Sequence, residues 1–179
     1  MIVINLFGVP SAGKSSGAAY IFSKLKMESV NVELVTEVAK DELWNKSIEP
    51  FNCQEYLFGK QSYRLSRLKD KVDIVITDSP LPLTILYNNN PILDEDFEHV
   101  VMKIFHSYQN INILLNRVKE YNPVGRFQTE EESNSLKQPI IKILDKYNID
   151  YDEYNGCIED YDKIVEVILS TLNKYKKGR

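Results

Sequence analysis

Residues 8 to 15 read Gly-Val-Pro-Ser-Ala-Gly-Lys-Ser, a complete G-x-x-x-x-G-K-[ST] pattern directly after the apolar run Ile2 to Phe7. Small residues at this spacing let successive backbone N–H groups curl around phosphate oxygens, so Gly8, Pro10, Ser11, Ala12, Gly13, Lys14, Ser15 and Ser16 form the expected phosphate-binding set. Within it the Lys14 ammonium reaches toward the β- and γ-phosphates of a nucleotide, and the Ser15 hydroxyl offers an oxygen to Mg²⁺. A helix opening at Lys14 turns its positive end toward the same anion.

Carboxylates come next. Asp78 closes the β-branched run Asp73 to Asp78, a placement that suits an acid holding Mg²⁺ directly or through water. It equally suits a turn or cap aspartate, and Asp73 at the other end reads as a turn residue. Glu37 ends a second alternating run, Val32 to Glu37, where it could accept the proton of an attacking hydroxyl during phosphoryl transfer. Asp41, one helical turn later, is its rival for that role, and Asp78 could also serve. Either Glu37 or Asp41 could instead be a first-turn acid complementing a helix dipole.

Two further stretches carry charge and rings. Arg117 to Arg126 places Arg117, Lys119 and Arg126 around Tyr121, Pro123 and Gly125 just after a strand, where a lid over phosphates would sit and arginines could neutralise charge in transfer. A surface loop with ordinary ion pairs has the same composition. Gln54, Phe58, Gln61, Arg64 and Arg67 recur on one helix face, a set able to grip a base or sugar or to form packing with a wet edge. Tyr87 and Asn88 to Asn90 carry a weaker signal of the same kind.

The elements that must position these residues follow from periodicity. Strands are expected at Ile2–Phe7, Val32–Glu37, Asp73–Asp78, Ile111–Leu115 and Asp150–Tyr154. Helices are expected at Lys14–Glu28, 38–46, Asn52–Lys71, Leu93–Tyr108, Thr129–Lys146 and Asp160–Tyr175, with Pro139 as a kink. Thr129 with Glu132 fits a capping box, the prolines at 80 and 82 force the chain out of the strand, and Asn88 to Pro91 reads as a loop before the next helix. This alternation predicts a three-layer α/β/α sandwich around a mostly parallel five-stranded sheet. Gly8, Glu37, Asp78 and Arg117 all fall at or just after strand carboxyl ends, where ligands of such sheets bind.

Bulk properties narrow the class. A chain of 179 residues supports one domain with a core, with residues 117–128 as its lid-like segment. Its 43% hydrophobic content without a membrane-length apolar run reads as a soluble protein with no membrane partner. The first residues are already strand, so no export signal is expected and the compartment is expected to be cytoplasmic. Two distant cysteines and two histidines do not make a zinc framework. A net charge of −4 disfavours a large nucleic-acid footprint, and the cationic tail from Lys174 reads as a solvated helix end.

Taken together, the loop at 8 to 15, Thr-Glu-Val-Ala-Lys-Asp at 36 to 41, Ile-Thr-Asp-Ser-Pro at 76 to 80 and Tyr-Asn-Pro-Val-Gly-Arg at 121 to 126 resemble small phosphate-loop kinases. The resemblance is to the nicotinamide-riboside-kinase-like (NadR-type) group, which has phage-encoded members, and it extends over most of the chain. It implies a phosphate-loop kinase fold, ATP·Mg²⁺ as donor, a hydroxyl acceptor, Lys14 and Ser15 on phosphates and metal, and lid arginines at Arg117 and Arg126. The Asp-Gly-Phe-Pro-Arg of adenylate kinases, the Asp-Arg-Tyr of thymidylate kinases and the guanine-reading Asn-Lys-x-Asp are absent. Asp78-Ser79-Pro80 departs from the Asp-Arg-Ser of deoxynucleoside kinases. Three functions follow as expectations: a kinase of a nucleoside, nucleotide or related metabolite; a kinase acting on a DNA end or hydroxymethylated base through cations such as Lys60, Arg64 and Arg67; or a nucleotide-dependent switch without an acceptor.

Overall fold

The computed structural model describes residues 1–93, 95–124 and 128–177. Strand β1 (Ile2–Phe7) is buried at every position because it lies in the middle of a sheet covered on both faces. Around it run β2 (Val32–Val35), β3 (Ile74–Thr77), β4 (Gln109–Asn116) and β5 (Asp152–Asn155), in the spatial order β2-β3-β1-β4-β5. Every pairing is parallel, with Ile4 opposite Ile76 on one side and Ile111 on the other. The sheet is therefore all-parallel, which sharpens the expectation of a mostly parallel one.

Side-chain alternation then assigns the faces. Ile2, Ile4, Leu6, Ile74 and Ile76 pack with Ala18, Ile21 and Leu25 of α1 (Lys14–Met27) and with Ile164, Ile168 and Leu172 of α8 (Ile158–Lys177). Val3, Val35 and Val75 point the other way, onto Phe58 and Leu65 of α3 (Gln54–Ser66) and Phe97 and Val101 of α5 (Glu95–Phe105). Polar side chains are buried in the sheet as well, Asn5 and Thr77 among them. Asn5 is 1% exposed, yet its amide donates to Asn110 Oδ1 at 2.9 Å and Asn112 Oδ1 at 3.0 Å, both across the β1–β4 pair. A one-residue slip would strand these amides in the interior, so the network specifies register.

The remaining helices are α2 (Val38–Trp44), α4 (Leu83–Tyr87), α6 (Glu130–Ser135) and α7 (Lys137–Lys146), with a 3₁₀ turn at Glu49–Asn52 before α3. The capping box forms as expected: Thr129 Oγ1 accepts from Glu132 N at 3.2 Å, and Glu132 Oε2 accepts from Thr129 N at 2.7 Å. The single helix expected from Thr129 is instead two. The break falls at Leu136, three residues before Pro139, because proline removes the N–H that would bond residue 135 and its ring crowds that carbonyl. Residues 52–71 shorten to the helix Gln54–Ser66, and β4 extends to 109–116. The loop expected at Asn88 to Pro91 is present, and ahead of it the chain forms the short helix α4, which proves to border the site.

Candidate active site

The phosphate loop bridges β1 and α1, and three of its residues take positive φ: Gly8 at 145°, Ser11 at 67° and Gly13 at 93°. Gly13 stands directly before α1 in the left-handed region, where any Cβ would be strained. The first turn of α1 carries no acidic side chain, so nothing competes with an incoming anion for its N–H groups. Lys14 folds back over the loop, its Nζ donating to Gly8 O at 2.7 Å and Val9 O at 3.1 Å. Neighbouring elements fasten the loop from outside. Ser133 Oγ of α6 donates to Pro10 O at 2.9 Å, and Asn122 N donates to Ser11 Oγ at 3.1 Å.

The loop opens into a cleft of about 580 Å³ lined on this side by Pro10, Ser11, Gly13, Lys14, Ser15 and Ser16, with Lys119, Glu120, Asn122, Val124 and Gln128 of the following segment. The opposite side is built by α2, α3 and α4: Glu37, Val38, Ala39, Lys40, Leu43, Phe51, Gln54, Leu57, Gln61, Leu83, Thr84 and Tyr87. Asp78 and Ser79, just beyond β3, lie between the two halves. The volume and the mix of apolar wall with a few convergent polar groups suit a small organic molecule beside a phosphate.

Glu37 precedes α2 with extended backbone and makes no capping hydrogen bond to it, and its carboxylate lines the cleft. Its charge, together with burial as the larger cause, pushes the Tyr87 phenol up to about 12. Tyr87 as a whole is 38% exposed, and the upward shift keeps its phenol protonated through neutral and mildly alkaline pH, available as a donor. Asp78 is 5% exposed, and its Oδ1 is fully buried with no hydrogen-bond partner among the described residues. An orphaned carboxylate oxygen in a cleft that also holds the exposed Ser15 hydroxyl fits Mg²⁺, which binds through one or two protein oxygens and takes the rest from phosphates and water.

A family profile described as an AAA domain (AAA_28) matches residues 3–160. The chain belongs to this AAA domain family. A search of the curated proteins finds no match. Among solved structures, a deoxyadenosine kinase from M. mycoides with bound dATP superposes with a TM-score of 0.58 at 18% identity, covering 96% of this chain and 99% of that one. This likeness is one of fold: a five-stranded parallel sheet flanked by helices, of the phosphate-loop NTPase kind.

In this AAA domain the helix face expected to grip a ligand divides. Gln54 and Gln61 line the cleft, but Phe58 turns into the core, 7% exposed and edge-on to Phe97 with ring centroids 5.6 Å apart. Phe58 is thus packing and not a ligand contact, since a helix face three residues wide must also cover the sheet. Phe58→Ala is expected to cost about 3–5 kcal/mol in urea unfolding. Gln61 is committed to structure as well: its Oε1 accepts from Val38 N at 3.0 Å and its Nε2 donates to Thr77 Oγ1 at 3.3 Å.

Arg64 and Asp41 also leave the site, because they pair with each other and Arg64 donates to Thr36 O at 3.0 Å. Arg117 does not line the cleft either. Glu130, at 3.3 Å, and Asn134 draw its guanidinium to α6, and it stacks 5.4 Å from the Tyr121 ring centroid. Arg126 lies outside the described residues. Sequence reading missed Leu43, Phe51, Leu57, Leu83 and Thr84, which reach the cleft only because α2, the 3₁₀ turn, α3 and α4 converge there. Leu83, Thr84 and Tyr87 at helical spacing after two prolines were the one signal available.

Proposed function

We propose that the protein is a phosphotransferase that moves the γ-phosphoryl group of ATP·Mg²⁺ to a hydroxyl of an unphosphorylated, ring-bearing small molecule of the nucleoside type. The observation that carries this reading is a cleft in which the phosphate loop and Asp78 share one space with Glu37 and with the apolar and aromatic side chains of Leu43, Phe51, Leu57, Leu83 and Tyr87. A switch needs loops that respond to the γ-phosphate; it does not need a walled chamber beside it. No helix among the described residues is long and apolar enough to cross a membrane. The enzyme proposed is a single-domain cytoplasmic one with a lid-like segment at 117–128.

In this reading the loop amides and Lys14 hold the donor phosphates, and Ser15 and Asp78 would hold Mg²⁺. The ion supplies neutralisation of charge on the β- and γ-oxygens. Glu37 takes the proton of the acceptor hydroxyl as its oxygen bonds to the γ-phosphorus and the bond to the ADP oxygen breaks. Lys119, with Arg126 of the lid, balances the charge that moves. Gln54, whose Nε2 donates to Phe51 O at 3.3 Å, keeps an amide edge on the cleft for the acceptor, between Phe51, Leu57 and Tyr87.

An unphosphorylated acceptor follows from the cations. Lys40 is the one cation among the described residues on the α2–α4 side of the cleft, while Arg64 is paired with Asp41 and Lys60 with Glu42 at 2.5 Å. A monophosphate acceptor would need more positive charge there, and a DNA strand would need Lys60 and Arg64 unengaged. ADP release should therefore rise with a pool of nucleosides and not with monophosphates or DNA. Glu37→Gln should lower kcat for that acceptor about 10²–10⁴-fold with the KM for ATP unchanged. Turnover that no acceptor raises above basal hydrolysis would overturn the reading in favour of a switch.

A further inference from the structure

The underside of the phosphate loop is held by a residue 148 positions away in the chain. Tyr161, in the first turns of α8, is 3% exposed and donates its hydroxyl to Gly13 O at 3.0 Å. The same carbonyl accepts the Gly17 N–H at 2.7 Å, so both of its lone pairs are engaged. Gly13 lacks the Cβ that would restrict its backbone, and the orientation of the peptide that follows it is correspondingly undetermined by local sterics.

That peptide is planar and trans, so the Gly13 carbonyl and the Lys14 N–H are the two ends of one rigid unit and point in opposite directions. Pinning the oxygen beneath the loop aims the N–H above it. Resting on the nucleotide reading, we infer that Tyr161 is a positioning residue for the donor: by holding the Gly13 carbonyl it presents the Lys14 backbone N–H to the β-phosphate.

The surroundings of Tyr161 fit that task. Its ring lies 5.9 Å from the ring of Tyr20, whose hydroxyl donates to Asp162 Oδ1 at 2.8 Å, tying the start of α8 to α1. Gly156, just before α8, approaches the loop so closely that a Cβ there would lie 2.1 Å from Ala12 O, and its own N–H donates to Asn116 O at 2.9 Å. Burial raises the affinity of the Tyr161 hydroxyl for its proton, which keeps it a donor at working pH.

The test compares ADP and AMP binding by titration calorimetry in wild type, Tyr161→Phe and Lys14→Ala, with thermal unfolding of the nucleotide-free proteins. Tyr161→Phe keeps the ring and removes one donor. The expected result is an ADP Kd raised about tenfold with the AMP Kd unchanged and Tm lowered by only the about 2–4 °C that one lost hydrogen bond costs, because AMP places no β-phosphate at the Lys14 N–H. Unchanged ADP binding, or ADP, AMP and Tm shifting together as a packing defect would make them, overturns the inference. If Lys14→Ala loses ADP while Tyr161→Phe retains it, the positioning role fails and the nucleotide reading stands. A wild type that binds no ADP overturns both.

Discussion

Lys14→Ala is expected to lower kcat for phosphoryl transfer about 10³-fold, at the upper end of what one preorganised donor to a developing charge contributes. The ammonium sits 2.7 and 3.1 Å from the two carbonyls at the start of its own loop, poised over the space where the donor phosphates would lie. No other cation of the loop can replace it, since residues 8 to 16 contain only one. A lysine acting only as a loop fastener would give a different pattern. Its removal would lower Tm by the worth of two part-buried hydrogen bonds and slow turnover only in proportion to the unfolded fraction. Measuring ADP release and thermal unfolding on the same preparations separates the two, and a loss of less than tenfold in kcat would remove Lys14 from the chemistry.

The second large effect is expected at Asp78. Asp78→Asn should lower kcat about 10²–10³-fold at saturating ATP and raise the Mg²⁺ concentration needed for half-maximal rate, because a neutral amide oxygen is a poorer ligand for a hard cation. Stability should move the opposite way or not at all. The native carboxylate is 5% exposed with an oxygen that has no hydrogen-bond partner among the described residues, and a buried unpaired charge costs free energy. Replacing it with an isosteric amide removes that cost, so the nucleotide-free variant should unfold at the same or a higher urea concentration. Loss of activity accompanied by clear destabilisation would mean that Asp78 is a structural turn residue after all.

Such opposed effects mark residues whose local arrangement is poor for folding and good for binding. Gln61 is the counter-example in the same cleft. Its amide is engaged at both ends, by Val38 N and Thr77 Oγ1, so its loss should cost stability first and specificity only through movement of α2. Asp78 and Gln61 border the same cleft, and hydrogen bonding sets them apart: one carboxylate oxygen of Asp78 has no partner among the described residues, whereas the Gln61 amide is bonded at both its oxygen and its nitrogen.

The fold and the conformation of the phosphate loop were legible in the chain because both depend on short-range rules. A β-branched run must be a buried strand, alternation assigns its faces, and a G-x-x-x-x-G-K-S sequence between strand and helix has few other conformations open to it. Even the capping box at Thr129 was readable to the atom, since its partners lie three residues apart. Helix ends were less so. Pro139 signalled a break, but the backbone yielded at Leu136, where the lost hydrogen bond and the ring's steric demand fall.

The α2–α4 wall of the cleft was hidden because helical periodicity gives the faces of a helix and not what each face meets. Gln54, Phe58, Gln61 and Arg64 share one stripe, yet the first borders the cleft, the second fills the core, the third fastens α2 and the fourth pairs with Asp41. Arg117 follows a strand as a lid residue should, and is drawn aside by Glu130 and Asn134 of α6, the latter 17 positions on. Composition and local spacing therefore determined the sheet, the phosphate loop and the carboxylates at the strand ends, all fixed by interactions within a few residues of backbone. The packing of α2, α3, α4 and α8 against that frame decided which charges are spent on each other, which face the cleft, and which side chain holds the loop from below. Those outcomes depend on contacts between segments far apart in the chain, which no local pattern encodes.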